Sequence, residues 1–380
     1  MHQSRLVPRL VAALILCTIA GATAAVAAPA PVTTAKPGLT DTIVDVPGIE
    51  VGQYQQDKDG FLTGTTVVYA PGRAVAGVDV AGGAPGTRET DLLAPDELVQ
   101  HVNAIVLSGG SSYGLISAYG VMDWLREHKQ GFRVGKDPSD VVPIVPGAII
   151  FDLGRGGRFT ATPTPEFGYK AISSASTAAV KQGTVGAGTG AFSGPLKGGV
   201  GSASVVLPNG YVVGAIVVLN SAGSTIDPRS CQFYAEGLQM GNEFHLRPGS
   251  VAGCKDAASA QGHGFPSQDA KKGRMNTTIA VVATNAPLSK AMAKRMALMA
   301  QDALAIAIRP AHTLYDGDTV FAMSTGDGTA LSPETQSAEL NAVFVAGTDT
   351  LARAIVLAVR HASSAGARQS YCGKYPKACE

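Results

Sequence analysis

Hydrophobic and polar positions alternate in short blocks along this chain, and each change of period predicts an element. "TGTTVVYAP" (63–71) and "AVAGVDVAGG" (74–83) flank Pro-Gly-Arg, so they read as two strands joined by a turn. "HVNAIVLSGG" (101–110) is a strand running into glycines. "SYGLISAYGVMDWLREH" (112–128) then spaces its apolar residues as a helix does. "VVPIVPGAIIFDL" (141–153) reads as a buried strand region. Residues 182–224 form a Gly-rich loop followed by two strands around "PNG", a hairpin signal. "TIAVVA" (278–283) is a chargeless strand. "LSKAMAKRMALMAQDALAIAI" (288–308) is a helix whose predicted apolar face is Leu288, Met292, Met296, Met299, Ala303 and Ile306, with Pro310 as its stop. "DTVFAMST" is a further strand, and residues 333–362 hold one long helix or two. Strands and helices mix without strict βαβ alternation, which argues for layered sheets with helices outside.

Composition narrows the function classes. The chain has 380 residues, 45% hydrophobic and 16% charged, with a formal net charge of +1. That balance gives no reason to expect nucleic acid or a membrane surface as a partner. Glycine, at 46 residues without a collagen-like period, signals many tight turns and close backbone approaches.

The first residues read as an export signal. Arg5 and Arg9 precede the apolar "VAALILCTIAGA", and small residues follow. The apolar run is shorter than the roughly 20 residues a span needs. A signal at 1–24 is expected, with cleavage as late as residue 30. A linker fills 25–40, and one catalytic domain spans 41–380. Periplasmic or secreted protein follows, with no membrane partner once the signal is gone. Cys17 would leave with the signal. The even number of remaining cysteines favours two disulfides, and sequence proximity suggests Cys231–Cys254 and Cys372–Cys379.

Two places are candidates for a nucleophile. "GSSYG" (110–114) fits G-x-S-x-G between a strand and a helix, which would make Ser112 the nucleophile of a serine esterase. The plainer reading is a Gly/Ser turn capping a helix. The second candidate is Thr277 in "MNTTIAVVATNAP" (275–287). A threonine becomes a good nucleophile when it is the first residue of a chain, because its own α-amine serves as base. Thr277 is internal, so the idea requires a cut between Asn276 and Thr277, made by the hydroxyl itself. "YDGDTVF" places Asp316 and Asp318 two apart, pointing the same way in extended chain. Two carboxylates pushed together share a proton. The alternative is an acidic turn or a calcium ligand pair.

Taken together, "AGGAPGTRETDLLAP", "IVLSGGSSYGL", "VPIVPGAIIFDL", "GAGTGAFSGPLKGGVGSAS", "NTTIAVVATNAP" and "RPAHTLYDGDTVFA" resemble one family. It comprises the L-aminopeptidase/D-esterases, the β-peptidyl aminopeptidases and the nylon-oligomer hydrolases. The resemblance implies an α/β fold, a four-layer αββα sandwich, self-cleaved into α (25–276) and β (277–380) chains that stay associated, commonly in homotetramers or larger. It implies Thr277 as the new N-terminal nucleophile, with Asp316 and Asp318 in the pattern of the nylon-oligomer branch. Asn220 matches an oxyanion-hole asparagine, and Lys197 matches a lysine near the active site. Phe151 stands where some members place a tyrosine, so one substrate-holding hydroxyl is missing.

The expected activity is therefore hydrolysis of small peptides or amino-acid amides and oligomers, with no cofactor and no metal. The substrate's L-, D-, β- or ω-amino acid character stays open. Self-cleaving acyltransfer of the ornithine acetyltransferase type is an alternative, as is an exported binding protein on the same fold. Segment 225–274 either covers the site mouth or is an insertion.

Overall fold

The computed structural model describes residues 34–247 and 275–379. Among these described residues, thirteen strands and six α-helices follow in chain order. The first strands are β1 (Glu50–Gln56), β2 (Thr63–Val80), β3 (Thr87–Arg88) and β4 (His101–Ser108). Helix α1 (Ser117–Glu127), the β5 (Phe132–Arg133)–β6 (Val141–Val142) ribbon, β7 (Gly147–Ile149) and α2 (Pro165–Ser173) come next. The β8 (Phe192–Ser193)–β9 (Leu196–Lys197) ribbon leads into the hairpin β10 (Gly199–Val206)–β11 (Val212–Asn220). The chain then runs through β12 (Thr277–Thr284), α3 (Lys290–Ala300), α4 (Asp302–Ala307), β13 (Thr319–Ser324), α5 (Pro333–Arg360) and α6 (Tyr371–Lys374).

The pairing order is β10-β11-β12-β13-β2-β4-β7-β3, with β1 also on β2. Strand β2 holds the arrangement together. Its first half pairs with β1 and its second half with β13, so the hydrogen-bonded network divides there into two packed sheets. The β12–β13 and β4–β7 pairs are parallel, and the remaining pairs antiparallel.

Side-chain alternation sorts the apolar residues into three cores. Ala280, Val282, Val320 and Ala322 face α3 and α5. Ile279, Val281, Phe321 and Met323 point the other way and meet Val68, Ala70, Ile105 and Leu107 of the second sheet. Val67, Tyr69, Ala104 and Val106 complete the sequence by packing under α1 and α2. Helix, sheet, sheet, helix is the αββα sandwich. The predicted hairpin around residues 208–210 is the β10–β11 pair, with Gly210 in a left-handed conformation.

Three local expectations change. Pro71-Gly72-Arg73 is no turn between two strands but a bulge within β2, where the register against β4 shifts between Tyr69 and Ala74. The local turn chemistry is present, yet β4 pairs on both sides of it and keeps the strand continuous. Second, the 288–308 helix breaks at Gln301, and its buried face runs through Ala293, Met296, Ala297, Ala300, Ala303 and Leu304. Ile306 is 38% exposed. The alanines win the core face because they let the helix approach β2 closely: Lys294 backbone would meet a Cβ on Gly77 at 2.3 Å. Third, residues 111–116 are 3-10 helix, and the α-helical part begins at Ser117.

Helix α5 is one helix kinked at Gln336, and it is long and apolar enough to cross a bilayer. Its apolar face is instead buried in the outer core, and its Arg353 is buried between Asp41 and Glu243.

Cys372 and Cys379 form the expected disulfide. Cys254, the expected partner of buried Cys231, lies outside the described residues. Because the Cys372–Cys379 loop is short, its entropic contribution is modest. The double Cys372→Ser, Cys379→Ser variant is expected to lose about 2 kcal/mol, read from urea midpoints at constant slope.

Candidate active site

Thr277 opens β12 and faces Asn220, the last residue of β11, directly across the antiparallel ladder. The parallel β12–β13 pairing then brings the chain before β13 alongside, with a bridge between Asn276 and Asp316. Four of the predicted residues, Thr277, Asn220, Asp316 and Asp318, therefore meet at one end of the sheet. All four are 3% exposed or less.

Asp316 and Asp318 are fixed by separate sets of donors. Asp316 Oδ1 accepts from Ala222 N at 3.1 Å, and its Oδ2 accepts from the Thr313 hydroxyl and backbone N–H. Asp318 Oδ1 accepts from Thr278 N at 2.8 Å. Its Oδ2 accepts from His312 N and lies 3.0 Å from His312 Nδ1. Each carboxylate thus has its own backbone and side-chain donors. The two still feel each other. Burial, and after it the charge of Asp318, holds the Asp316 carboxyl above the ordinary carboxylate range. The hydrogen bond to Asp318 raises His312 above the usual imidazole value.

The hydroxyl of Thr277 lies against the carbonyl oxygen of Asn276. That same oxygen accepts from Gly317 N at 3.1 Å. Gly317 is a residue that sequence reasoning passed over. A Cβ there would sit 2.6 Å from Ala84 O and 2.9 Å from Thr277 Oγ1. The loop at 81–84 clamps this turn, with Ala84 N donating to Asp316 O at 2.8 Å and Ala81 N to Asp318 O at 3.0 Å. The "DGD" spacing held the signal for Gly317: a glycine between two site carboxylates marks a close backbone approach.

Asn220 is fully buried. Its Oδ1 accepts from Phe192 N at 3.0 Å and Arg155 Nη1 at 2.5 Å, and its Nδ2 donates to Phe151 O at 3.3 Å. Phe151 thus enters through its backbone carbonyl. Lys197, paired with Phe192 across the β8–β9 ribbon, is fully buried. Its Nζ donates to the carbonyls of Gly188 and Gly198 at 2.8 and 2.9 Å. Burial drives its pKa well down, aided by the Arg155 charge.

Ser112 is exposed on the 111–116 turn, with no hydrogen bond to a histidine among the described residues. The elbow reading lacks its base there.

Comparisons with known proteins identify the family. The model of Peptidase family S58 matches residues 41–372. An uncharacterized aminopeptidase of Mycobacterium leprae is 47% identical over 364 residues, covering 89% of this chain and 95% of that protein. A 6-aminohexanoate-oligomer endohydrolase of Kocuria sp. is 31% identical over 293 residues, 74% of each. The L-aminopeptidase D-Ala-esterase/amidase of Ochrobactrum anthropi, described as a variant of the Ntn-hydrolase fold, superposes with a TM-score of 0.65 at 19% identity. That match covers 91% of this chain and 97% of that one, and speaks for the fold. A sandwich of this architecture, with family-wide sequence similarity across both sheets, places the chain in peptidase family S58, as a hydrolase of peptide or amide bonds.

Proposed function

We propose that this hydrolase is an exported, self-processing enzyme whose nucleophile is Thr277 after a cut between Asn276 and Thr277. The observation that carries the reading is the Thr277 hydroxyl lying against the Asn276 carbonyl oxygen, which Gly317 N–H already polarises from 3.1 Å. In the maturation step, Oγ1 bonds to the Asn276 carbonyl carbon and the Asn276–Thr277 C–N bond breaks. The hydroxyl proton ends on the freed Thr277 nitrogen. Water then opens the ester, leaving an Asn276 carboxylate and a Thr277 that carries both hydroxyl and α-amine.

In turnover a substrate amide carbonyl takes the place of the Asn276 carbonyl. Thr277 Oγ1 attacks it. Asp316, with Asp318 holding the neighbouring backbone, receives the proton, and the α-amine is the second base. Asn220 Nδ2 donates to the oxyanion. The proton passes from Asp316 to the leaving nitrogen as the C–N bond breaks, the amine leaves, and water hydrolyses the acyl-enzyme to release the acid and restore Thr277. Small peptides, amino-acid amides and amide oligomers are the substrate class; similarity to the Kocuria enzyme supports the last. The Cys372–Cys379 disulfide supports export to an oxidising compartment.

Intact mass and N-terminal sequencing test the reading. Two chains, the smaller starting Thr-Thr-Ile-Ala, are expected. A single chain with full amide turnover overturns it.

Gly317→Ala adds a sharper check. Its methyl would occupy space held by Ala84 O and Thr277 Oγ1. Displacing the nucleophile by a fraction of an ångström is expected to slow processing by about 10²-fold. The uncut fraction against time, by gel, measures it.

A further inference from the structure

We infer that Arg155 is a positioning residue that holds the side-chain amide of Asn220 in the one orientation that presents N–H to a carbonyl oxygen at Thr277. The inference rests on the reading of Asn220 as the oxyanion donor.

A side-chain amide has two orientations related by a half-turn, differing only in which end accepts and which donates. At Asn220 the surroundings separate them. The oxygen end meets two donors, Phe192 N and the Arg155 guanidinium; the nitrogen end meets an acceptor, Phe151 O. Turning the amide over would set NH2 against an N–H and a cation, and oxygen against oxygen. In a fully buried side chain, each such mismatch strands a polar group away from water. The Arg155 bond is the short, charge-assisted one of the set, so it dominates the preference.

Arg155 is itself held where it can do this. Its Nη1 also donates to Gly190 O at 2.7 Å. Its guanidinium lies over the Phe192 ring, 4.2 Å from the centroid. Phe192 thus supplies a backbone donor to Asn220 and a platform for the arginine that supplies the other. Arg155 sits in the turn after β7, Phe192 opens β8 and Asn220 ends β11, so three separate stretches converge on one amide oxygen.

The test is a set of variants assayed for kcat and KM per mole of processed enzyme. Arg155→Met keeps the aliphatic stem over Phe192 but removes the donors. It is expected to lower kcat about 10–100-fold, a part of the loss for a missing oxyanion donor, with KM changed less than about threefold. Arg155→Lys, which keeps a cationic donor, is expected to recover most of that loss. Added guanidinium is expected to raise the kcat of Arg155→Ala saturably and to leave Asn220→Ala unmoved. The double variant Arg155→Met, Asn220→Ala is expected to be no slower than Asn220→Ala alone, since Arg155 acts through Asn220.

A rise in KM at unchanged kcat would make Arg155 a substrate-binding group and overturn the inference. Losses that multiply in the double variant would overturn it equally. An Asn220→Ala variant with wild-type kcat would remove the foundation, and is distinguishable because it fails before Arg155 is touched.

Discussion

Thr277→Ala is expected to leave the chain in one piece and to lower amide turnover by about 10⁴-fold or more. Two losses coincide. The hydroxyl that would attack the Asn276 carbonyl is gone, so no α-amine is released. The same hydroxyl would form the acyl-enzyme. The effect should not come through unfolding. Thr277 is buried at the mouth of a ladder whose backbone bonds the substitution leaves intact, and removing a hydroxyl and a methyl costs on the order of 1 kcal/mol. Thr277→Ser keeps a nucleophile in place and should still be cut. Ser112→Ala, at an exposed turn with no hydrogen bond to a histidine among the described residues, should process and turn over within about twofold of wild type. Intact mass, circular dichroism and initial rates on one amide substrate read all three. A cut Thr277→Ala chain, or one that keeps more than a few per cent of the rate, would move the nucleophile elsewhere.

The strands and the place of the candidate nucleophile were readable because their signals are local. β12 announces itself as a chargeless β-branched run, and Thr277 stands at its start. Asp316 and Asp318 are legible from two-residue spacing. Their separation into two donor sets was not. Thr313 and His312 lie on the same short loop, but Ala222 comes from the chain beyond β11 and Thr278 from β12. Arg155 and Phe192 were missed for the same reason. They act on Asn220 through contacts that span 65 and 28 residues, and no periodicity encodes such a meeting. The bulge at 71–73 was misread because Pro-Gly-Arg carries turn chemistry, whereas the register of β4 decides whether the strand reverses. Lys197 was named from motif resemblance; that its ammonium donates to the carbonyls of Gly188 and Gly198 was not legible.

Asp318→Asn is the second large effect. Processing and turnover are each expected to fall about 10²–10³-fold, within the range for impaired acid–base catalysis. Asp318 accepts from Thr278 N with one oxygen and from His312 with the other. Asparagine can satisfy only one side as acceptor and turns an NH2 toward the other set of donors. The backbone beside Thr277 loses a fixed partner. The pH dependence separates this from a purely steric loss. Asp316 must be ionised to take the proton, so the wild-type rate falls as pH drops through its raised pKa. Burial is the larger cause of that rise and stays in the variant; the Asp318 charge is the smaller and disappears. The acid limb of the residual activity should therefore move to lower pH. Stability moves the opposite way. His312 is raised by Asp318, so their pairing stabilises the fold fully below the unfolded imidazole value of 6.5 and is lost as pH rises through the folded value. The urea midpoints of wild type and variant should differ more at about pH 6 than at about pH 8.5. An acid limb that does not move would show that Asp316 does not feel the Asp318 charge. Midpoints that differ equally at both pH values would show that His312 draws nothing from it.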